Sequence, residues 1–366
     1  MKLPQGFLTS GIRCGIKYKG MDLGLIECRE GAIAEGFFTQ NANLSYSVMV
    51  SKKYINNPIK AVIVTSGNAN CFTKKVDFYK TLKVCKSLAS YLRVKQENIL
   101  IASTGIIGKS MPFSKIINSI PMLCNNLSRN WRPFAQSILT TDTFTKTSYQ
   151  RLSLKEGEVT IFGFAKGAGM INPQLATMLA FILTDAKIFS RKILRKLTSR
   201  AVDRSFNSIS VDGCMSTNDT VFFLSYSRGI LLERNASLNR FGIALDEVCQ
   251  NLAKMIVKDA EGSTKLVQLD LEGARSEEEA KVAFKAIANS LLLKSAIYGE
   301  SPNWGRIISS LGEAKIKVKE EKFKVRMQFK GKDVKISVDL GRGRFRWRGW
   351  FSDITPIYVK MNASYS

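Results

Sequence analysis

Short apolar runs alternate with stretches of helical period along most of this chain, and the period falls to two near its end. Leu23–Glu27 and Ala61–Thr65 read as buried strands. Residues 78–92 place Leu82, Cys85, Leu88 and Leu92 on one face of a helix. Ile99–Ser103 reads as a strand that ends in a turn at Thr104-Gly105. Val159–Ala165 is a strand running into the glycine-rich AKGAGM, and Val221–Tyr226 is another. Thr184 or Asp185 is expected to cap a helix in which Phe189, Ile193 and Leu197 share a face. Ser276 and Glu279 have the spacing of a capping box, ahead of a helix through Ala280, Ala283, Phe284, Ile287 and Leu291. From Lys315 onward Ile316 and Val318, then Phe323, Val325, Met327 and Phe329, then Val334, Ile336, Val338 and Leu340 occupy every second position. With turns at Glu320-Glu321 and Lys330–Asp333, this predicts an antiparallel C-terminal meander with one wet, basic face. Helices and strands alternate irregularly, so the fold class is mixed α/β, and no repeat or linker marks a domain boundary.

Composition narrows the chemistry. The chain has 366 residues, 45% of them hydrophobic, which is enough for a real core. It contains no histidine. Ser-His-Asp and Cys-His machinery is therefore excluded, as are His-ligated metal sites. Any general base must be an amine, a carboxylate or a thiolate with a shifted pKa. Seven cysteines are scattered with no C-x-x-C pair, which reads as reduced thiols in the cytoplasm and not as a disulfide framework. The N-terminus lacks the apolar segment of a signal peptide, and the most apolar run, around Leu175–Leu183, is broken by Thr177. A soluble protein with no membrane partner is expected. Lys+Arg exceed Asp+Glu by 55 − 30, a net charge of +25. The excess is spread along the chain and reads as solvated lysines, not as a specific nucleic-acid surface.

Seven segments put small polar residues and glycine in loops or directly after strands: TSGNAN (Thr65–Asn70), ASTGIIG (Ala102–Gly108), TTDTFTK (Thr140–Lys146), AKGAGM (Ala165–Met170), PQLATML (Pro173–Leu179), VDGCMSTNDT (Val211–Thr220) and GESPNWGR (Gly299–Arg306). One such turn is ordinary turn chemistry. Seven supply the backbone N–H groups and hydroxyls that a histidine-free site would use to stabilise an oxyanion. AKGAGM has neither the P-loop nor the dinucleotide-binding spacing, so ATP and nicotinamide cofactors are not expected. RFRWRGW interleaves Arg with aromatic residues, but it is short and reads as a basic last strand.

These segments, in this order, resemble the ornithine acetyltransferase family, also called bifunctional arginine-biosynthesis glutamate N-acetyltransferases. The resemblance rests on GNAN, STGIIG, TTDTFTK, AKGAGMINPQLATMLAFILTDA, SFNSISVDGCMSTNDT, EGSTKLV and IYGESPNWGRI. It implies an N-terminal-nucleophile enzyme with mixed sheets sandwiched by helices in an αββα-type arrangement. It also implies self-cleavage between Ala176 and Thr177, giving chains 1–176 and 177–366. An α-amine created there has a pKa near ~8 and can act as base for the hydroxyl of its own residue, with no imidazole.

Carried over by position, the resemblance implies that Thr177 takes the acetyl group of N-acetylornithine as an ester and passes it to glutamate. Thr104 (hydroxyl) and Gly105 (backbone N–H) would form the oxyanion hole. Lys166 would meet a substrate carboxylate and Glu261 a substrate ammonium. Asn362 and one of Thr140 and Thr141 would complete the contacts. Singly, Thr177 also reads as a helix start, Lys166 as a solvated lysine and Glu261 as a cap. No cofactor is implied, acetyl-CoA is left open as a second donor, and an α2β2 heterotetramer is expected. The chain departs from the family pattern at Cys214 and Met215, in MINPQLATML, in RFRWRGW, in a short stretch between Gly312 and Asp339, and at Tyr365-Ser366, where a terminal Thr is usual. Two alternatives stand beside this reading: an aminopeptidase or amidase on the same scaffold, and an inactive basic binding homologue.

Overall fold

The computed structural model describes residues 1–172, 178–188 and 190–363. Its strands, in chain order, are β1 (Leu8–Ile12), β2 (Leu23–Phe38), β3 (Ile59–Asn68), β4 (Ile99–Ile106), β5 (Lys146–Leu154), β6 (Gly157–Lys166), β7 (Leu179–Ile188), β8 (Ile209–Ser210), β9 (Thr220–Leu232), β10 (Leu266–Ala274), β11 (Lys324–Lys330), β12 (Asp333–Asp339) and β13 (Phe345–Ser352). The chain folds into two compact units. The first draws on Met1–Gly167, the described residues from Met178 to Ala201, and Ser216–Leu252; the second draws on Ala168 to Asn172, Val202–Met215, and Ala253 to Ala363. Among the described residues no helix is long and apolar enough to cross a membrane.

The first unit is built on an eight-stranded mixed sheet in the order β4-β3-β2-β9-β7-β6-β5, with β1 paired to β2. Alternation along β6 and β7 sorts side chains between two helix layers. Phe164 and Phe181 turn to one face and meet Phe134 of the helix Arg132–Ser137, edge to face at centroid distances of 4.9 and 5.4 Å. On the opposite face a side chain at Gly163 would strike Val248 and Leu252 of the long helix that begins at Asn235. The helix Val76–Leu92 lays Cys85 and Leu88 into the core, with Leu82 and Leu92 half-buried beside it.

The second unit carries a five-stranded sheet in the order β11-β12-β10-β13-β8. Ser276 caps the helix Glu277–Asn289, its Oγ accepting from Glu279 N at 3.1 Å, and Ala280, Ala283, Phe284 and Ile287 are buried on its core face. Ile307 and Leu311 of the helix Gly305–Glu313 join the same core.

The mixed α/β class is the one that the pattern and the resemblance imply. Four local expectations are corrected. First, β4 continues through Thr104 and Gly105, and the turn follows Ile106. Second, Thr184 and Asp185 lie inside β7, and the helix begins at Arg191. Their polar atoms bind the neighbouring strand instead of a helix start: Thr184 Oγ1 donates to Thr160 O at 2.8 Å, and Asp185 Oδ1 accepts from Thr160 N at 2.6 Å. Phe189 lies outside the described residues. Third, Leu291 belongs to a separate helix, Leu291–Tyr298, because Ser290 is extended and caps it through Leu293 N. Fourth, the meander is a hairpin of β11 and β12; Ile316 and Val318 precede it outside any strand, and β10 lies between β12 and β13.

Candidate active site

The first unit gathers five of the expected site residues. Thr104 is 3% exposed near the end of β4, which runs parallel to β3 with Gly105 opposite Gly67. Gly105 has φ +135°, and a Cβ there would lie 2.2 Å from the Gly67 carbonyl carbon. Only glycine combines that backbone with that approach. Asn218 pins the adjoining loops, its Nδ2 donating to Ala69 O at 2.6 Å and to Ser103 O at 2.8 Å. Asn70 takes φ +55° and donates to Thr81 Oγ1 at 2.9 Å. The GNAN and STND motifs are thus parts of one buried polar network.

Lys166, at the end of β6, is 2% exposed, and its Nζ lies 3.4 Å from Thr104 Oγ1. It is 3.9 Å from Asp142 Oδ2. Lys146, the first residue of β5, donates to Asp142 Oδ1 at 2.7 Å. Gly167 N donates to the same oxygen at 2.7 Å, and Thr140 N donates to Oδ2 at 3.0 Å. Thr140 and Thr141 are both half-buried. Burial alone would push the Asp142 carboxyl up; the Lys166 and Lys146 ammoniums outweigh it and hold the group well below the usual carboxylate range. Lys17 approaches from the N-terminal loop and donates to Leu139 O at 2.8 Å. Its pKa is lowered by burial, against the pull of Asp22 and Asp142.

Ala176 and Thr177 lie outside the described residues. Immediately after them, Met178 N donates to Asp219 Oδ1 at 3.0 Å. Burial raises the Asp219 carboxyl well above its ordinary value, despite that N–H and the Lys166 charge.

The second unit holds the other two expected residues and brings them together. Asn362 Nδ2 donates to Glu261 Oε2 at 3.3 Å and to Tyr358 O at 3.1 Å. Glu261 N donates to Ala168 O at 2.8 Å, and a Cβ on Gly169 would meet the Glu261 carboxylate at 2.6 Å. The EGSTK loop folds over Asp353, which accepts from Ser263 Oγ at 2.7 Å and Thr264 N at 2.9 Å. Asp212 accepts from Ile171 N at 2.8 Å and Cys214 N at 3.0 Å, and burial raises its carboxyl. Lys294 is wholly buried, donates to Ser352 O at 2.6 Å, and has its pKa lowered to about 7 by burial, against Asp212 and Asp353.

Sequence reasoning missed Asp142, Lys146, Asp212 and Asp353. The first two stand inside the TTDTFTK motif itself, four residues apart. The fold shows that they form an ion pair with Lys166 beside it. Cysteine is a poor candidate nucleophile. Burial pushes Cys14, Cys28 and Cys85 up to about 12 and Cys124 up to about 11. No group of carboxylates and thiols among the described residues could hold a metal ion. The first unit holds a buried hydroxyl beside an ammonium. The second, by itself, holds a carboxylate–amide pair.

The sequence profile described as the ArgJ family matches residues 8–329. The chain is 39% identical over 320 residues to the arginine biosynthesis bifunctional protein ArgJ of Oceanobacillus iheyensis, covering 86% of this chain and 78% of that one. It is 41% identical over 314 residues to ArgJ 2 of Clostridium acetobutylicum, covering 85% and 79% respectively. Among solved structures, the arginine biosynthesis bifunctional protein of Bacillus halodurans aligns at 30% identity with a TM-score of 0.45, over 49% of this chain and 97% of that chain. With the ordered motifs and a profile match that runs from residue 8 to residue 329, the chain belongs to the ArgJ family.

Proposed function

We propose that the chain transfers an acetyl group from N-acetylornithine to glutamate, in arginine biosynthesis, through an ester on Thr177. Family membership supports the reaction class. The observation that carries the site is the buried Thr104–Gly105 step with Lys166 Nζ 3.4 Å from the Thr104 hydroxyl. Maturation comes first. The Thr177 hydroxyl attacks the Ala176 carbonyl, the peptide C–N bond breaks and releases the Thr177 α-amine, and water hydrolyses the resulting ester to an Ala176 carboxylate and a regenerated Thr177 hydroxyl.

In turnover that amine accepts the hydroxyl proton as Thr177 Oγ bonds to the acetyl carbon. The amide C–N bond then breaks, and ornithine departs with the proton. The glutamate amine attacks the ester, the C–O bond breaks, and Thr177 regains its hydroxyl. Thr104 Oγ1 and Gly105 N–H stabilise the oxyanion of both tetrahedral intermediates. Lys166 takes a substrate carboxylate, and Glu261 with Asn362 takes the ornithine side-chain ammonium. No cofactor is required, with acetyl-CoA as a candidate second donor. The mature protein is cytoplasmic and assembles as two copies of each chain.

Intact-mass analysis tests the first step. Two fragments meeting at Ala176–Thr177 are expected, and a Thr177→Ala variant stays full length. Incubation with N-acetylornithine should then leave an acetyl group on Thr177, removed by glutamate. A full-length product, or label on another residue, would overturn the mechanism. Deacetylation without any need for glutamate would assign an amidase instead.

A further inference from the structure

Both oxygens of the Asp142 carboxylate are engaged, and their partners come from three segments. Lys146 belongs to β5, Gly167 follows β6, and Thr140 lies in the loop ahead of Asp142. Lys166 stands 3.9 Å away, between Asp142 and Thr104. A lysine that is 2% exposed needs a counter-charge to keep its proton, and Asp142 is the carboxylate beside it. We propose that Asp142 is a positioning residue for acetyl transfer: it holds the Lys166 ammonium beside the Thr104 hydroxyl and fixes the backbone at Thr140 and Gly167. The proposal rests on the assignment of Thr104 and Lys166 to the acetyl-transfer site.

The charged groups that face this carboxylate are Lys146 from its own segment, Lys166 from β6 and Lys17 from the N-terminal loop. Asp219 adds a second attraction on Lys166. Lys146 forms the short ion pair, so Asp142 is held in place even as Lys166 meets a substrate carboxylate. An asparagine at this position keeps the size and one acceptor but removes the charge. It also turns an amide N–H toward Thr140 N, donor against donor.

Asp142→Asn tests this against N-acetylornithine. KM should rise about tenfold or more with a smaller fall in kcat, since Lys166 is no longer held where its charge-assisted contact with the substrate carboxylate forms. The alkaline limb of kcat/KM should move to lower pH by about one unit, because Lys166 loses its near counter-charge. Asp142→Glu keeps the charge one methylene out, and is expected to raise KM while retaining the wild-type pH profile. Competitive amine labelling of Lys166, read by mass spectrometry across pH, should show the same one-way shift in Asp142→Asn. Folded D142N protein with unchanged KM and unchanged Lys166 labelling overturns the proposal. If D142N does not fold, D142E decides, and a D142E enzyme with wild-type KM overturns it. The labelling needs no turnover. A wild-type protein that transfers no acetyl group therefore sinks the assigned reaction, while Lys166 labelling still judges its coupling to Asp142.

Discussion

Gly105 leaves no room for a side chain. Alanine there would have to hold φ +135° and place its Cβ 2.2 Å from the Gly67 carbonyl carbon. Gly105→Ala should lower stability by about 2 kcal/mol or more, as strain and overpacking act together. It should also reduce kcat about a hundredfold by moving an oxyanion donor. Thermal unfolding and initial rates read the two effects separately. Thr104→Ala, which removes a hydroxyl and adds no bulk, should lose a similar share of kcat with little change in melting temperature. At this scale the sequence was legible where a residue type is chemically unusual for its place. The polar, glycine-rich segments stood out, whereas Thr104, Gly105, Lys166 and Glu261 were singled out by the family resemblance, since a lone lysine reads as solvated and a lone Glu as a cap. Asp142 and Lys146 were not singled out, although they flank the same threonines. An aspartate in a threonine-rich loop reads as turn chemistry. Only the pairing of β5 with β6, Lys146 opposite Ala165, brings Lys166 to it.

At the scale of elements, periodicity located the segments but not all of their ends. The C-terminal hairpin shows what alternation encodes. In β12 Val334, Ile336 and Val338 are buried, whereas the apolar positions of β11 are only half-covered. Ile336→Ala should cost about 2–4 kcal/mol and Met327→Ala less than about 1 kcal/mol, measured by denaturant midpoint. The two strands have the same sequence period, so the difference comes from position: β12 pairs with β10 on its far side and β11 is an edge. The length of β2 was hidden for another reason. Glu27 and Glu35 are buried within it, and charged residues argue against a core strand. Glu35 is compensated by Arg191 at 3.2 Å and Arg195 at 2.8 Å, from a helix more than 150 residues later in the chain. The start of the helix expected after Thr184 was misplaced similarly, because the polar atoms that suggested a cap are satisfied across the sheet by Thr160 and the helix begins at Arg191.

For the whole molecule, titration offers a test that no single contact does. The folded-state pKa of Lys294, about 7, lies below the ordinary 10.5, so between these values the unfolded chain binds the proton more tightly. Stability from this group therefore rises with pH across that window and is lost as pH falls to about 7. Lys294→Met should be more stable than the parent at pH 7, with the gap closing toward pH 10; a gap independent of pH would show that the burial cost is not electrostatic. The lysines that make up the net charge of +25 include two, Lys146 and Lys166, that are buried at the candidate site. The strand order of the first unit carries a last consequence. β7 and β9 come after position 177 in the chain, yet they lie between β2 and β6, which come before it. A backbone scission at Ala176–Thr177 would cut the thread without dividing the cloth. The 1–176 product would hold two separated pieces of the eight-stranded sheet, and the 177–366 product would hold the whole five-stranded sheet but only the β9-β7 pair of the larger one, so neither should fold fully when made alone. Refolded together, the two should recover one cooperative melting transition.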